Sequence, residues 1–245
     1  MPGPYHFSSW RDFYQSDLQG VYALVVAPAL FLLYRFARGR PPRALLPAAA
    51  PFVDGYAIAF ALQTIIDPIA TGPLVRALGV ADRAGGTAVL LLFVLLGDFR
   101  VYLLVFGLFS VASRRQWSAG IGPAAAWTLV VPLAAYAADA ALRAAVSGLH
   151  PDSIWLVYEL LFTGVALVLR ARLVPARVPS AEPALRAYLR AALLYAAVYY
   201  ALWALADALI QVGGIDAGWL LRVLPNQLYY AFWVPAVFFA FFSRR

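Results

Sequence analysis

Cysteine and lysine are both missing from this chain, and histidine occurs only as His6 and His150. Without cysteine, disulfides, thiolate zinc sites and iron–sulfur clusters are excluded. Without lysine, no Schiff base can form with an aldehyde, because that bond requires a side-chain amine. Both histidines fall near the ends of predicted membrane spans, which leaves no histidine to ligate a haem or di-iron centre within the membrane. We therefore expect no cofactor and no metal.

Charged residues are also scarce. Only 13% of the 245 residues are charged and 64% are hydrophobic, with a mean hydropathy of +0.77, whereas soluble domains are roughly 45 to 50% apolar. Apolar runs of about 20 residues fill nearly the whole chain and leave no room for an extramembrane domain. The pI near 9.9 does not indicate a nucleic-acid partner, because the arginines lie in short loops between spans. The expected partners are the lipid bilayer and a small-molecule or lipid substrate.

Hydropathy predicts an all-α, polytopic membrane protein with a bundle of seven transmembrane helices. Residues 1–17 are predicted to form an N-terminal interfacial segment, with Trp10, Phe13 and Tyr14 at the level of the lipid headgroups, and residues 18–245 the transmembrane domain. The predicted spans are 18–36, 52–70, 86–111, 121–146, 153–169, 188–212 and 219–242.

The arginines are divided unequally between the two ends of these spans. Five lie at one end, namely Arg11, Arg76, Arg83, Arg143 and Arg222. Thirteen lie at the other end, namely Arg35, Arg38, Arg40, Arg43, Arg114, Arg115, Arg170, Arg172, Arg177, Arg186, Arg190, Arg244 and Arg245. The positive-inside rule then predicts an outside N-terminus and a cytoplasmic C-terminus. Abundant alanine, arginine and glycine without lysine is typical of a bacterial inner membrane protein.

The stretch LLGDFRVYLL places Asp98 and Arg100 near the middle of the third span. A charge at the bilayer centre costs at least about 2.5 to 3.5 kcal/mol, so both groups should face the interior of the bundle. The sequence suggests that they form the floor of a hydrated cavity open to the outside. Positions two apart point about 200° apart on a helix. We therefore expect Arg100 to pair with an acid on a neighbouring helix, Asp67 or Glu159.

Polar residues of several other spans have a similar predicted depth, in the outer half of the membrane. Some of them recur at a spacing of four, which puts them on one helix face. For any one acid, a structural hydrogen bond or salt bridge is as good an interpretation as a working group. The candidate substrate-binding or proton-relay residues are Asp67, Asp98, Arg100, Glu159, Asp207, Asn226, Gln227, Trp203, Tyr199, Tyr230, Gln63 and Asp139.

Two spacing patterns support this set. Tyr195, Tyr199, Trp203 and Asp207 form an aromatic stripe that ends in a carboxylate, although ordinary helix packing also explains such a stripe. Pro225, directly before Asn226, is expected to break the seventh span, and a broken helix at membrane depth frees backbone groups that tend to line a cavity.

The first three spans can be aligned with the last three. ALQTIIDPI (61–69) matches ALWALADAL (201–209), and LGDFRVY (96–102) matches LPNQLYY (224–230). The resulting three-plus-one-plus-three layout resembles the SWEET sugar transporters and PQ-loop proteins. That resemblance implies a parallel repeat and a substrate site at Asp98, Asn226 and Trp203. The chain contains no PQ dipeptide, and Gln63 stands where that family has an aromatic residue.

Three functions are compatible with these features. The first is a carrier or channel for a small polar or cationic solute, with or without coupling to protons, because carboxylates and aromatic faces suit a cation. The second is an intramembrane enzyme that uses carboxylates as general acid and base on a lipid or prenyl substrate; in size and helix number the chain resembles the small membrane-bound terpene cyclases. The third is a structural or receptor-like subunit of a larger membrane complex.

Overall fold

The structure is a computed structural model that describes residues 7–81 and 83–242, and these residues form helices and loops with no strand. His6, Arg244 and Arg245, which entered the sequence-based predictions, lie outside the described residues. A short helix, α1 (Trp10–Gln15), comes first and is capped by the Ser9 hydroxyl, which accepts a hydrogen bond from the Asp12 N–H at 3.1 Å. This helix lies within the segment 1–17, whose interfacial position stays a prediction.

Six long helices follow, and all six are long and apolar enough to cross a membrane. They are 21 to 31 residues long, or about 30 to 45 Å, and the apolar core of a bilayer is about 30 Å thick. They are α2 (Leu18–Arg38), α3 (Pro47–Ala77), α4 (Ala84–Ala112), α5 (Trp117–Ala145), α6 (Ser153–Arg177) and α7 (Pro183–Gln211). The described residues are thus all-helical, with six candidate membrane-spanning helices, as in a polytopic helical membrane protein.

The last helix, α8, runs from 217 to 242 in three consecutive parts: Ala217–Asn226, a π-helical turn Gln227–Phe232, and Trp233–Phe242. It is long enough to span a membrane. However, its proline, asparagine, glutamine and tyrosine residues make it more polar than the other six, and it is not among the helices that are apolar enough to do so. The expected break at Pro225 is wrong, because the helix continues through Pro225 and widens into the π-helical turn directly after it.

The helices pack side by side in chain order, and α8 closes the bundle by packing on α2, α3 and α7. The half of the bundle that contains the end of α8 is tightly filled, with Leu108, Phe238 and Phe241 fully buried. Two side chains of this interior donate hydrogen bonds across helices: the Tyr188 hydroxyl to the Val237 carbonyl at 3.0 Å, and the Trp233 indole to the Tyr56 hydroxyl at 2.8 Å. The buried acids Glu159 and Asp207 lie towards the opposite end of the bundle.

Candidate functional site

A cavity of about 200 Å³ lies at that opposite end, where the first turns of α6 and α8 meet the last turns of α7. Val94 of α4 and Tyr14 of α1 complete its wall. The lining is mostly aromatic, with a carboxylate, a guanidinium group and an amide among the rings. Its residues are Tyr14, Val94, Trp155, Tyr158, Glu159, Tyr200, Trp203, Arg222, Asn226, Tyr229 and Tyr230.

Three charged side chains from three helices meet at one edge of this cavity. Arg222 Nη1 is 3.0 Å from Asp207 Oδ1, and Arg222 Nη2 is 3.8 Å from Glu159 Oε1. The two carboxylates are almost completely buried, with side chains 1% and 6% exposed, and the arginine side chain is 20% exposed. With formal charges the cluster carries two negative charges and one positive charge, so one carboxylate is in excess.

Several polar atoms of this cluster have no hydrogen-bond partner. They are Glu159 Oε2, Asp207 Oδ1 and Arg222 Nε, all of them buried. The short distance between Arg222 and Asp207 is thus an ion pair without hydrogen-bond geometry. Buried polar groups are nearly always satisfied in folded proteins, and an exception beside a cavity calls for a water or a ligand that satisfies it. The arrangement therefore offers a donor-bearing or cationic ligand a free carboxylate oxygen.

Asn226 holds the opposite edge of the cavity together. Its side-chain oxygen accepts a hydrogen bond from the Trp203 indole at 2.9 Å, and its amide nitrogen donates to the Tyr14 hydroxyl at 3.1 Å. Tyr14 lies outside the six long helices, and burial raises the pKa of its phenol. The hydroxyl therefore stays neutral and remains available as a hydrogen-bonding group.

Asp98 lies behind the cavity wall and is not part of it. It is completely buried, and the hydroxyl groups of Tyr158 and Tyr200 both donate hydrogen bonds to its carboxyl group. These two tyrosines do line the cavity. The predicted position of Asp98 on the cavity floor thus needs a correction, because a layer of two phenols separates the carboxyl group from the open space.

Arg100 pairs with neither Asp67 nor Glu159, contrary to the prediction. Its guanidinium donates to the Tyr229 carbonyl at 2.6 Å and to the Thr64 hydroxyl at 3.2 Å, and lies 4.0 Å from the centre of the Tyr229 ring. The physical reason is the position of Tyr229 in the π-helical turn of α8, where its carbonyl and its ring both lie against the Arg100 guanidinium and take the place of an acid. Glu159 takes Arg222 as its cation instead.

Three predicted site residues, Gln63, Asp67 and Asp139, lie outside the cavity lining and bind local partners. Asp67 is bonded within its own helix, to Gln63 at 3.4 Å and to the Thr71 hydroxyl at 3.5 Å. Asp139 accepts from Arg143 at 2.7 Å and from the Ser153 hydroxyl at 2.6 Å, which ties the end of α5 to the start of α6. The five acids among the predicted site residues, Asp67, Asp98, Asp139, Glu159 and Asp207, therefore do not share one pocket.

The remaining predicted residues divide between the lining and the packing around it. Trp203, Asn226 and Tyr230 line the cavity, whereas Gln227 and Tyr199 do not. Tyr199 is fully buried between Tyr229 and Trp203, with ring centroids 5.5 and 5.7 Å away. The aromatic stripe along α7 is thus continuous, and its far end reaches the carboxylate of Asp207 beside the cavity.

Seven lining residues were not among the predicted site residues: Tyr14, Val94, Trp155, Tyr158, Tyr200, Arg222 and Tyr229. Arg222 was counted only as an arginine that sets orientation, although its spacing of four from Asn226 puts both on one face of α8.

Comparison with protein-family models, with curated proteins and with solved structures gives no match. What the site can do is therefore inferred from its own side chains.

Proposed function

We propose that this protein is a carrier that binds a small cationic or polar solute in the cavity at Glu159. The observation that supports the proposal most is a buried carboxylate with one oxygen free of hydrogen bonds, surrounded by aromatic rings. Aromatic faces attract a desolvated cation by up to about 2 kcal/mol each. A volume of about 200 Å³ suits a small organic ion.

The charge balance of the site also supports a cation. Arg222 is already held by Asp207 at 3.0 Å, while its distance to Glu159 is 3.8 Å. A second cation at the free side of Glu159 would neutralise the excess carboxylate without displacing Arg222. An anionic solute would have to approach two buried carboxylates.

Coupling to protons is proposed through Asp98. Tyr158 and Tyr200 touch both the cavity and the Asp98 carboxyl group, so a proton can pass from the cavity to Asp98 by exchange along these hydroxyl groups. No guanidinium group lies within 4.0 Å of Asp98 among residues 7–81 and 83–242. Asp98 is therefore the acid that we propose to accept and release the coupled proton.

The proposal includes a seven-helix topology in a bacterial inner membrane, with α8 as the seventh span, the N-terminus outside and the C-terminus in the cytoplasm. The asymmetry of the arginines supports this orientation. The cavity then opens towards the outside and the tightly packed half faces the cytoplasm, which corresponds to one end state of a carrier that alternates its access. Two repeats of three helices remain part of the proposal.

The enzyme alternative receives less support. Asp98, its best general acid, is separated from the cavity by Tyr158 and Tyr200, and among the described residues Glu159 is the carboxylate that lines the cavity. A reaction on a prenyl chain would therefore depend on a carboxylate that already faces Arg222 at 3.8 Å.

The experiment is uptake of labelled choline into proteoliposomes, with Glu159→Gln as the test variant. We expect wild-type liposomes to accumulate choline by counterflow and the variant to lose at least about tenfold in initial rate, because the cation loses its counter-charge. The matched control is Glu182→Gln, the same chemical change at the other glutamate of the chain. Asp98→Asn should keep choline binding and lose only the stimulation of uptake by a pH gradient. If Glu159→Gln protein took up choline as fast as wild-type protein and differed from it only in a lower melting temperature, the proposal would be wrong. Glu159 would then have a structural role.

A further inference from the structure

A second cavity, of about 250 Å³, lies at the arginine-rich end of the bundle, between the end of α4, the start of α5 and the end of α6. It is separate from the proposed solute site and shares no lining residue with it. Arg115, Arg177 and Ser113 belong to its lining and are exposed, and we call these three residues its rim. Its other wall is apolar.

The two rim arginines have no partner within the described part of the chain, unlike the arginines that acids hold in place. Arg35 is bound by Asp54 through two contacts of 2.5 and 2.6 Å, and Arg143 by Asp139 at 2.7 Å. By contrast, the side chains of Arg115 and Arg177 form no ion pair or hydrogen bond in the described part of the chain. Two unpaired guanidinium groups at one cavity favour an anion, and their planar forks match the oxygens of a phosphate.

The apolar wall determines which kind of phosphate compound fits. Phe106 and Trp127 stack with centroids 6.2 Å apart and planes at 29°, below the arginines on the membrane side. Gly120 lets the start of α5 approach α4 at this cavity, because a Cβ there would lie 2.5 Å from the backbone of Phe106. A free phosphate ion would use only the rim, whereas an amphiphile would use both the rim and the rings.

We propose that this cavity binds the headgroup of an anionic phospholipid. The phosphate lies between Arg115 and Arg177, and the start of an acyl chain lies against Phe106 and Trp127. Basic residues at the end of a membrane span attract anionic lipid, with a contribution of roughly fivefold in affinity from each arginine. An anionic lipid would thus bind at one defined position within the positively charged end of the bundle.

The experiment uses the full-length protein in detergent and native mass spectrometry, with phosphatidylglycerol and phosphatidylcholine as probes. We expect wild-type protein to retain phosphatidylglycerol in preference to phosphatidylcholine. The double variant Arg115→Gln/Arg177→Gln should bind phosphatidylglycerol about 30-fold more weakly. The matched control, Arg38→Gln/Arg172→Gln, removes the same charge from two exposed arginines of the same end that do not line the cavity, and should bind almost as wild type.

Three results would overturn the proposal. One is equal retention of phosphatidylglycerol by wild-type protein and the test variant. Another is an equal loss of affinity for phosphatidylglycerol in the test and control variants, which would show that only net charge matters. The third is binding of inorganic phosphate or glycerol 3-phosphate that is as tight as that of the whole lipid, which would assign the cavity to a free phosphate. Melting temperatures of both double variants show that each still folds.

Discussion

Arg222 is a single side chain on which two buried carboxylates depend. It approaches Asp207 at 3.0 Å and Glu159 at 3.8 Å, and its guanidinium also lies 5.5 Å from the ring centres of Tyr14 and Trp219. Two buried acids side by side repel each other unless a cation lies between them or one is protonated. The arginine therefore determines the charge state of the whole site.

We predict that Arg222→Gln lowers the free energy of unfolding by about 3 kcal/mol, because it leaves two buried carboxylates without their cation. Unfolding in mixed micelles with increasing dodecyl sulfate measures this loss. The double variant Arg222→Gln/Asp207→Asn should be more stable than Arg222→Gln alone, since it removes one of the stranded charges. Losses that simply add in the double variant would mean that the two residues do not interact.

At the scale of helices, the contact between α4 and α8 depends on Gly97. A Cβ at this position would overlap the Tyr229 hydroxyl and lie 2.6 Å from the Tyr229 ring. The Tyr229 ring lies over the Arg100 guanidinium, and the Tyr229 carbonyl accepts a hydrogen bond from it. The absence of a side chain at Gly97 thus allows α8 to bring Tyr229 onto the buried arginine.

We predict that Gly97→Ala lowers the free energy of unfolding by about 1 to 3 kcal/mol through overpacking. Gly164→Ala is the matched control, because a Cβ there meets nothing within 4 Å, and alanine favours a helix by about 1 kcal/mol over glycine. Thermal unfolding in detergent should therefore separate the two alanine variants in opposite directions. Equal stability of both would show that α4 and α8 are not in this close contact.

The short helix α1 covers the mouth of the solute cavity. The Trp10 N–H donates to Asp216 at 2.9 Å, Arg11 lies 5.5 Å from the Trp219 ring centre, and Tyr14 bonds to Asn226 inside the cavity. These contacts fix α1 to the first part of α8. Access to Glu159 from the aqueous side therefore depends on how firmly α1 is held.

We predict that Asp216→Ala speeds the entry of reagents into the cavity, because it removes the bond that anchors the start of α1. The chain has no cysteine, so Trp155→Cys in the lining gives one thiol whose reaction with a charged, membrane-impermeant thiosulfonate can be timed. The rate should rise at least about threefold, the effect of about 0.7 kcal/mol. Asp17→Asn, which breaks the exposed pair with Arg76, should leave the rate unchanged.

At the scale of the whole molecule, the topology depends on whether α8 crosses the membrane. If it does, the loop at Gly213 and the C-terminus lie on opposite sides. We predict that alkaline phosphatase fused after Gly213 is active in the periplasm, and that the same enzyme fused after the last residue is inactive. Activity at both positions would mean that α8 does not cross the membrane, so that the protein has six spans. It would contradict the proposed orientation of the C-terminus.

The sequence predicted the helices well and the partners within them poorly. Long apolar runs show directly in hydropathy, so α2 to α7 contain most of each predicted span. The predicted partner of Arg100 was wrong because the acceptor is a backbone carbonyl, which every residue carries and which no side-chain pattern marks. Arg222 was missed for a different reason: an arginine near the start of a helix looks like one that sets orientation.

The most direct measurement of the central claim is calorimetric titration of the purified protein with choline and with its neutral isostere, 3,3-dimethylbutan-1-ol. The two differ only in the charged nitrogen, so the difference in affinity isolates the electrostatic attraction of Glu159 and the surrounding rings. We predict that choline binds wild-type protein at least about tenfold more tightly than the isostere, and that Glu159→Gln removes this preference. Equal affinities of the two compounds for wild-type protein would contradict the account.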